Sequence, residues 1–413
     1  MQPSHSTTTS LSSRKWWAML GIGMGVFMST LDSGIVNISL PTLQEQLSTT
    51  FPTVQWVVLS YLLVITSLML GVARLGDMIG KKKLYVVGLV LFTAGSLLCG
   101  LAPGVGWLIG FRALQGSGAV MMTALGVAII TEVFPPSERG RALGVMGGVV
   151  SVGIALGPTV GGILIGLVGW RSIFLVNVPV GVMTALIVTK VVPPSRIGEK
   201  GQQFDVIGAL LVLVTLSCYA LGMTLGQRLG FEDGRIMGLL GVALLSLVAF
   251  LIAEARIGQP MIDLGLFRNT LFSINLLMGF LTFIVLAGMF IMPFFLTLVM
   301  GYKTEEIGLL TAVVPVSMGL VAPASGALSD RFGSRGLSLV GLAIIVGACL
   351  LISTLHDRIT PLGYILRLAP LGIGFGIFQS PNNSAIMGAA PHERLGVASG
   401  LLALSRTLGQ TSG

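Results

Sequence analysis

The sequence predicts an all-α polytopic membrane protein: two pseudo-symmetric six-helix bundles with an inserted helix pair, the second bundle incomplete where the chain stops. Three observations predict it. The chain has 413 residues, 54% hydrophobic and 10% charged, with a mean hydropathy of +0.94, where a soluble domain carries about 25% charge. Its apolar runs recur at the length of a membrane span, about 20 residues. One polar loop occurs twice, in corresponding places.

The apolar runs cover residues 16–40, 53–74, 84–102, 106–131, 141–168, 172–192, 205–226, 234–253, 270–300, 306–328, 336–355 and 361–388, and a thirteenth, 396–413, is still running at Gly413. Backbone groups in lipid must be satisfied internally, so these runs read as helices, and their lengths do not suit a β-barrel. The domain boundaries expected are a disordered cytoplasmic tail at 1–15, a bundle at 16–192, a cytoplasmic linker at 193–204, the inserted pair at 205–253 and an incomplete bundle at 270–413. The start lacks a cleavage site after a short apolar core, so the first run reads as a retained span and not a signal peptide.

Lys and Arg set the orientation. With the N-terminus inside, the inner loops hold Arg14, Lys15, Arg74, Lys81, Lys82, Lys83, Arg139, Arg141, Lys190, Arg196, Lys200, Arg256, Arg268, Arg331, Arg335 and Arg394. The outer loops hold only Arg171, Arg228, Arg235, Lys303 and Arg358. The net charge of +8 is therefore a topology signal; scattered through short loops, it is no nucleic-acid footprint. Cys99, Cys218 and Cys349 lie in apolar runs, an odd count with no paired spacing that argues against a disulfide framework.

The first run holds one carboxylate, Asp32, about two-thirds of the way across the span. A charge at such depth costs at least about 2.5–3.5 kcal/mol on insertion scales and is by default functional. Glu132, Asp205 and Glu254 sit near span ends, where headgroups or water can solvate them. Asp32 fits a proton-binding group, since a partly buried carboxylate takes up and releases a proton at moderate cost. It also fits a permanent ion pair that only holds helices together.

Arg112, in the fourth run, shares a helix face with Gln115 and Gly116. Always charged, it either meets a cavity or counter-charge, or snorkels to the nearby interface. Gly153, Gly157 and Gly161, with Pro158 and Gly162 beside them, form a flat strip that lets another helix approach closely.

The repeat reads ARLGDMIGKKK (Ala73–Lys83) and GALSDRFGSR (Gly326–Arg335), its aspartates running from 77 to 330. Both fit small-x-Leu-x-Asp-x-x-Gly with basic residues after it. Repeated bundles are a transporter plan that places substrate near the midplane between them. Polar or aromatic residues within the runs, Asn37, Gln55, Trp56, Tyr61, Gln115, Gln379, Asn382 and Asn383, are candidates for a substrate path with mostly apolar walls. No Gly-rich GK[ST] loop for ATP occurs, and His5, His356 and His392 lie far apart in tails or loops, so no catalytic residues, metal site or cofactor are expected.

These motifs give the chain a resemblance, from its first span to Gly413, to the fourteen-helix drug:proton antiporters of the major facilitator superfamily. LDSGIVNISLP (Leu31–Pro41) resembles that group's first-helix motif, and the two Asp-Gly-basic loops resemble the superfamily's cytoplasmic signature. LIGFRALQGSGAV (Leu108–Val120) resembles the fourth-helix Arg motif. GIALGPTVGGIL (Gly153–Leu164) resembles the antiporter motif, followed by WRSIFLVNVPVG (Trp170–Gly181). Ala73 and Met78 depart from the usual Gly and Arg of the first loop.

The resemblance implies a proton-driven multidrug exporter in a bacterial cell membrane. It implies a monomer that binds small molecules and protons, with no nucleic acid. Asp32 and Arg112 would couple protons. Asp77, Gly80, Lys81, Lys82, Asp330, Arg331, Gly333 and Arg335 would form gating loops, Asp77 engaging the helix that begins near Gly396–Gly400. The Gly153–Gly162 strip would meet the opposite bundle, and a fourteenth span would come after Gly413. A lipid or specific-metabolite carrier of the same fold, for export or uptake, is the second reading, and a membrane receptor or enzyme a remote third.

Overall fold

The computed structural model describes residues 6–195, 204–257, 260–302 and 304–412. Thirteen principal helices, with no strand among the described residues, carry the chain. They are α1 (Ser6–Gln46), α2 (Phe51–Ile79), α3 (Lys81–Gly100), α4 (Val105–Val133), α5 (Arg139–Val168), α6 (Asn177–Val191), α7 (Val206–Leu229), α8 (Gly234–Glu254), α9 (Thr270–Ala287), α10 (Val313–Phe332), α11 (Ser334–Ile352), α12 (Pro361–Ala389) and α13 (Leu395–Ser412). Twelve helical segments of the described chain are long and apolar enough to cross a membrane. The thirteenth helix, α13, carries Ser, Thr, Arg and Gln. It needs no lipid-facing composition, because Leu395 through Ser405 are buried among its neighbours.

Local chemistry fixes several ends. The side chains of Asp205, Asp233, Asn269 and Thr360 accept backbone N–H bonds at the starts of α7, α8, α9 and α12. Gly80 (φ 104°) turns α2 into α3, and Gly333 (φ 83°) turns α10 into α11. Only glycine adopts such angles without strain, so the sequence repeat is also a repeat of backbone conformation.

Two expected spans are irregular helices. The run at 270–300 is α-helical to Ala287, then winds more tightly (Gly288–Ile291) and more widely (Phe295–Val299) on either side of Pro293. The run at 306–328 divides between Thr304–Thr311 and α10; Pro315 lacks an N–H and its ring collides with the carbonyl four residues back, at Thr311. Within the expected tail at 1–15, helix α1 runs from Ser6. Residues 1–5, 196–203 of the linker, and Gly413 lie outside the described residues.

The first bundle packs α1 on α5 and α6, and α4 on α2 and α3; the second packs α12 on α10 and α11, and α9 on α13. The inserted pair leans on α2, where Ser67 and Ser217 hydroxyls meet at 2.8 Å. The bundles meet through α5 against α10 and α2 against α13. The Gly140 backbone lies on that of Gly326, Gly144 on Ala322, Gly148 near Gly319, and Gly400 on the methyl of Ala73. All these contacts fall toward the end of the molecule that carries Asp77 and Asp330. Large apolar side chains such as Leu167, Leu245, Leu320 and Leu350 are exposed around the outside, the composition a lipid-facing surface requires.

Candidate functional site

Asp32 is fully buried on α1, and two neighbouring helices turn three donor side chains toward it. Arg112 of α4 donates from Nη1 to Asp32 Oδ2 at 2.6 Å. Gln115, one turn further on α4, donates from Nε2 to Oδ1 at 3.0 Å, and Asn177, the first residue of α6, donates from Nδ2 to the same oxygen at 2.9 Å. The α4 spacing that puts Arg112 and Gln115 on one face is the reason both reach one carboxylate.

The outer ring of contacts fixes those donors. Arg112 Nε donates to the Val57 carbonyl at 3.0 Å and Nη1 to Gln115 Oε1 at 2.6 Å, while its guanidinium lies 4.1 Å from the centre of the Tyr61 ring. Gln115 Nε2 also donates to Ser96 Oγ of α3 at 2.8 Å, and the Cys99 thiol points at Gln115 Oε1. The pair is thus satisfied on both sides, the condition under which a buried ion pair is tolerated.

This arrangement decides between the sequence alternatives for Arg112: it meets a counter-charge and does not snorkel. Of the residues expected along a substrate path, Tyr61 and Gln115 are buried within the Asp32 network. Of the others, Asn37 stands exposed on α1, Gln55 and Trp56 are half-buried on α2, and Gln379, Asn382 and Asn383 are buried together on α12. An apolar cleft of about 530 Å³ lies where α1, α5 and α10 meet, with Trp16, Met19, Phe27, Val149 and Pro323 among its walls.

Asp77 and Asp330 each cap a helix of the opposite bundle. Asp77 accepts from the backbone N–H of Gly396 (2.8 Å) and Val397 (2.9 Å), the start of α13. Asp330 accepts from Gly140 (2.7 Å) and Arg141 (2.8 Å), the start of α5. Free N–H groups and the helix dipole both favour a carboxylate there. Beyond the aspartate the two loops differ. Lys81 is buried between Asp77 (2.8 Å) and Glu132 (2.7 Å), whereas Ser334 holds the equivalent place in the second loop and Arg331 and Arg335 are exposed. Lys82 donates from Nζ to the Thr189 carbonyl at 2.8 Å.

Two expectations change. The Gly153, Gly157, Gly161 strip meets α1 of its own bundle, against Thr30, Gly34, Ile35 and Ile38, and Gly162 has open space; the helix face that meets the opposite bundle is Gly140, Gly144, Gly148. The two faces lie on one helix, and only helix placement assigns a partner to each. Glu254 is not solvated at its span end: 3% exposed, it accepts the Met261 N–H at 3.2 Å, while partly buried Glu132 pairs with Lys81.

Sequence reasoning missed Asn177 and Ser96, whose signal was a polar side chain inside an apolar run. It also missed a second repeat. Pro136-Ser137-Glu138-Arg139 and Pro391-His392-Glu393-Arg394 each form a tight turn leading into the helix that an aspartate caps.

Known proteins resemble this chain in sequence and in fold. Residues 22–413 match the Major Facilitator Superfamily. The riboflavin transporter RibZ of Clostridioides difficile is 34% identical over 96% of this chain and 86% of its own. The multidrug resistance protein Stp of Mycobacterium tuberculosis is 33% identical over 96% of this chain and 74% of its own. Among solved structures, the proton:xylose symporter XylE superposes with a TM-score of 0.69 at 15% identity, covering 97% of this chain and 87% of that one. The chain belongs to the Major Facilitator Superfamily. It is a multi-pass membrane transporter, not an enzyme.

Proposed function

We propose that this protein is a proton-coupled exporter of small amphipathic compounds, working by alternating access with Asp32 as the proton-binding group. The observation that carries the reading is the Asp32 site: the one acid deep in the first bundle, held by three donors that lose their charge partner when it is protonated. Protonation would release Arg112 and Asn177 and so couple a proton to rearrangement of α1, α4 and α6. One charge moving down the membrane potential supplies about 2.3 kcal/mol per 100 mV.

The Lys and Arg bias supports a cytoplasmic N-terminus, which makes the Asp77 and Asp330 end cytoplasmic. In that orientation the bundles are closed toward the inside, with both carboxylates acting as latches. Similarity to a multidrug resistance protein and the apolar cleft beside α1 support amphipathic cargo.

The test is substrate-stimulated proton flux in proteoliposomes, with a growth-protection screen across lipophilic compounds to find the cargo. Asp32→Asn is expected to abolish the flux. Efflux that survives collapse of the proton gradient refutes the coupling. Similarity to a riboflavin transporter favours a second reading, a carrier for one metabolite. Riboflavin accumulation by a riboflavin-requiring strain, without protection against any drug, would establish it.

A further inference from the structure

The second bundle contains a cation without a carboxylate. Arg406 sits eleven residues into α13, which at 1.5 Å per residue places it about 16 Å from the helix start, near the midplane of a span. Its Nη2 donates to Asn383 Oδ1 at 2.8 Å and its guanidinium stacks 5.7 Å from the centre of the Phe283 ring. Arg112, an intramembrane cation of the first bundle, has Asp32; among the described residues no carboxylate reaches Arg406. Because arginine stays protonated, its charge must be met by water or by something that enters.

The surround points to something that enters. Gln379, Asn382 and Asn383 occupy one face of α12, three and four residues apart, and all are more than nine-tenths buried. Asn382 Oδ1 and Gln379 Oε1 have no hydrogen-bond partner, and buried polar atoms are rarely left so. Gly279 of α9 keeps space beside them: a Cβ there would lie 3.4 Å from Asn382 Nδ2 and 3.6 Å from Ser405 Oγ. Gln379 reaches across the seam to within 3.5 Å of where a Cβ of Gly147 on α5 would stand, so the cluster borders the opposite bundle. Phe283 and Phe375, 6.2 Å apart edge to face, supply an apolar wall.

We propose that Arg406, Asn383, Asn382 and Gln379 form an anion-recognising subsite, which takes the carboxylate or other oxyanion of an amphipathic substrate while its apolar body lies on Phe283. A guanidinium offers an oxyanion two parallel N–H bonds, Asn383 holds that fork in place, and the unpartnered amides meet polar groups on the remainder of the ligand. The midplane depth excludes a lipid headgroup as the natural source of the anion. The inference rests on the reading of the chain as a small-molecule carrier and is independent of proton coupling at Asp32.

The full chain in phosphatidylcholine nanodiscs is titrated, without any proton gradient, with two xanthene dyes of opposite charge, fluorescein and rhodamine 6G. Fluorescein is expected to bind, and Arg406→Gln to weaken it by about tenfold or more, with Arg406→Lys losing less because it keeps the charge without the fork. Asn383→Asp provides an internal counter-ion and is expected to weaken fluorescein while leaving rhodamine 6G binding at least as tight. It carries the test alone if Arg406→Gln does not elute as a monodisperse species. Adding phosphatidylglycerol to the nanodiscs is expected to leave fluorescein binding unchanged. The proposal is overturned if fluorescein does not bind the unaltered chain, if Arg406→Gln leaves it unchanged, if both dyes weaken equally, or if phosphatidylglycerol displaces it. Failure here leaves the Asp32 proton flux untouched, and loss of that flux leaves the dye titration interpretable.

Discussion

The carboxylate of Asp77 closes on the backbone N–H of Gly396, 2.8 Å away and 319 residues later in the chain, and so joins α2 of one bundle to the start of α13 in the other. Asp330 and Gly140 repeat the contact with the bundles exchanged. Each latch uses donors that every helix start possesses, so each can part without leaving a structural defect: water takes the place of the carboxylate.

Weakening a latch should therefore shift a conformational population, and Lys81, which loses Asp77 in such a variant, keeps Glu132 as its counter-charge. With the three native cysteines replaced, a Ser399→Cys reporter on buried α13 is expected to react with maleimide slowly. Asp77→Asn, whose amide presents one acceptor where two N–H groups need two, should raise that rate by about tenfold, since charge-assisted hydrogen bonds contribute about 1.5–3 kcal/mol. An unchanged rate would mean that α5 against α10 holds the closure alone.

The Asp32–Arg112 pair makes a prediction about stability that is separate from transport. Removing one partner of a buried pair leaves the other uncompensated, at a cost of about 3–5 kcal/mol. Asp32→Asn should melt well below the unaltered protein, and Asp32→Asn with Arg112→Gln should recover a good part of the loss. Thermal unfolding in detergent measures both; a double variant no better than the single one would show that the pair contributes little.

Two glycines near the middle of α5 are separable by size. A Cβ at Gly157 would lie 2.9 Å from Gly34 Cα, whereas one at Gly162 meets nothing within 4 Å. Gly157→Val is expected to abolish folded yield or transport, and Gly162→Ala to leave both near the unaltered level. Equal tolerance of the two would contradict the close approach of α1 and α5.

Lys81 and Lys82 are neighbours in sequence with different burdens. Lys81→Met strips the cation from between Asp77 and Glu132 and should cost several kcal/mol by the same reasoning as other broken buried pairs. Lys82→Met removes one exposed bond to the Thr189 carbonyl and should stay within about 1 kcal/mol. Melting temperatures of the two variants compare them directly.

What the sequence by itself determined is what depends on local composition. The spans come from hydropathy. Both Gly-hinged aspartate loops come from a motif that occurs twice with the same internal spacing. Asp32 stood out as the deep acid because nothing else of its kind interrupts a complete apolar run.

What only the tertiary structure decided is what depends on how helices are rotated and paired. A polar residue in an apolar run, such as Ser96 or Asn177, gives no sign of which neighbour it faces. The rotation of α3 and α6 turns both toward the Asp32 network, and the same kind of choice sends Gly157 to Gly34 and Gly144 to Ala322. Helix registry across an interface is a property of two surfaces packed together, and one stretch of sequence specifies only one of them at a time.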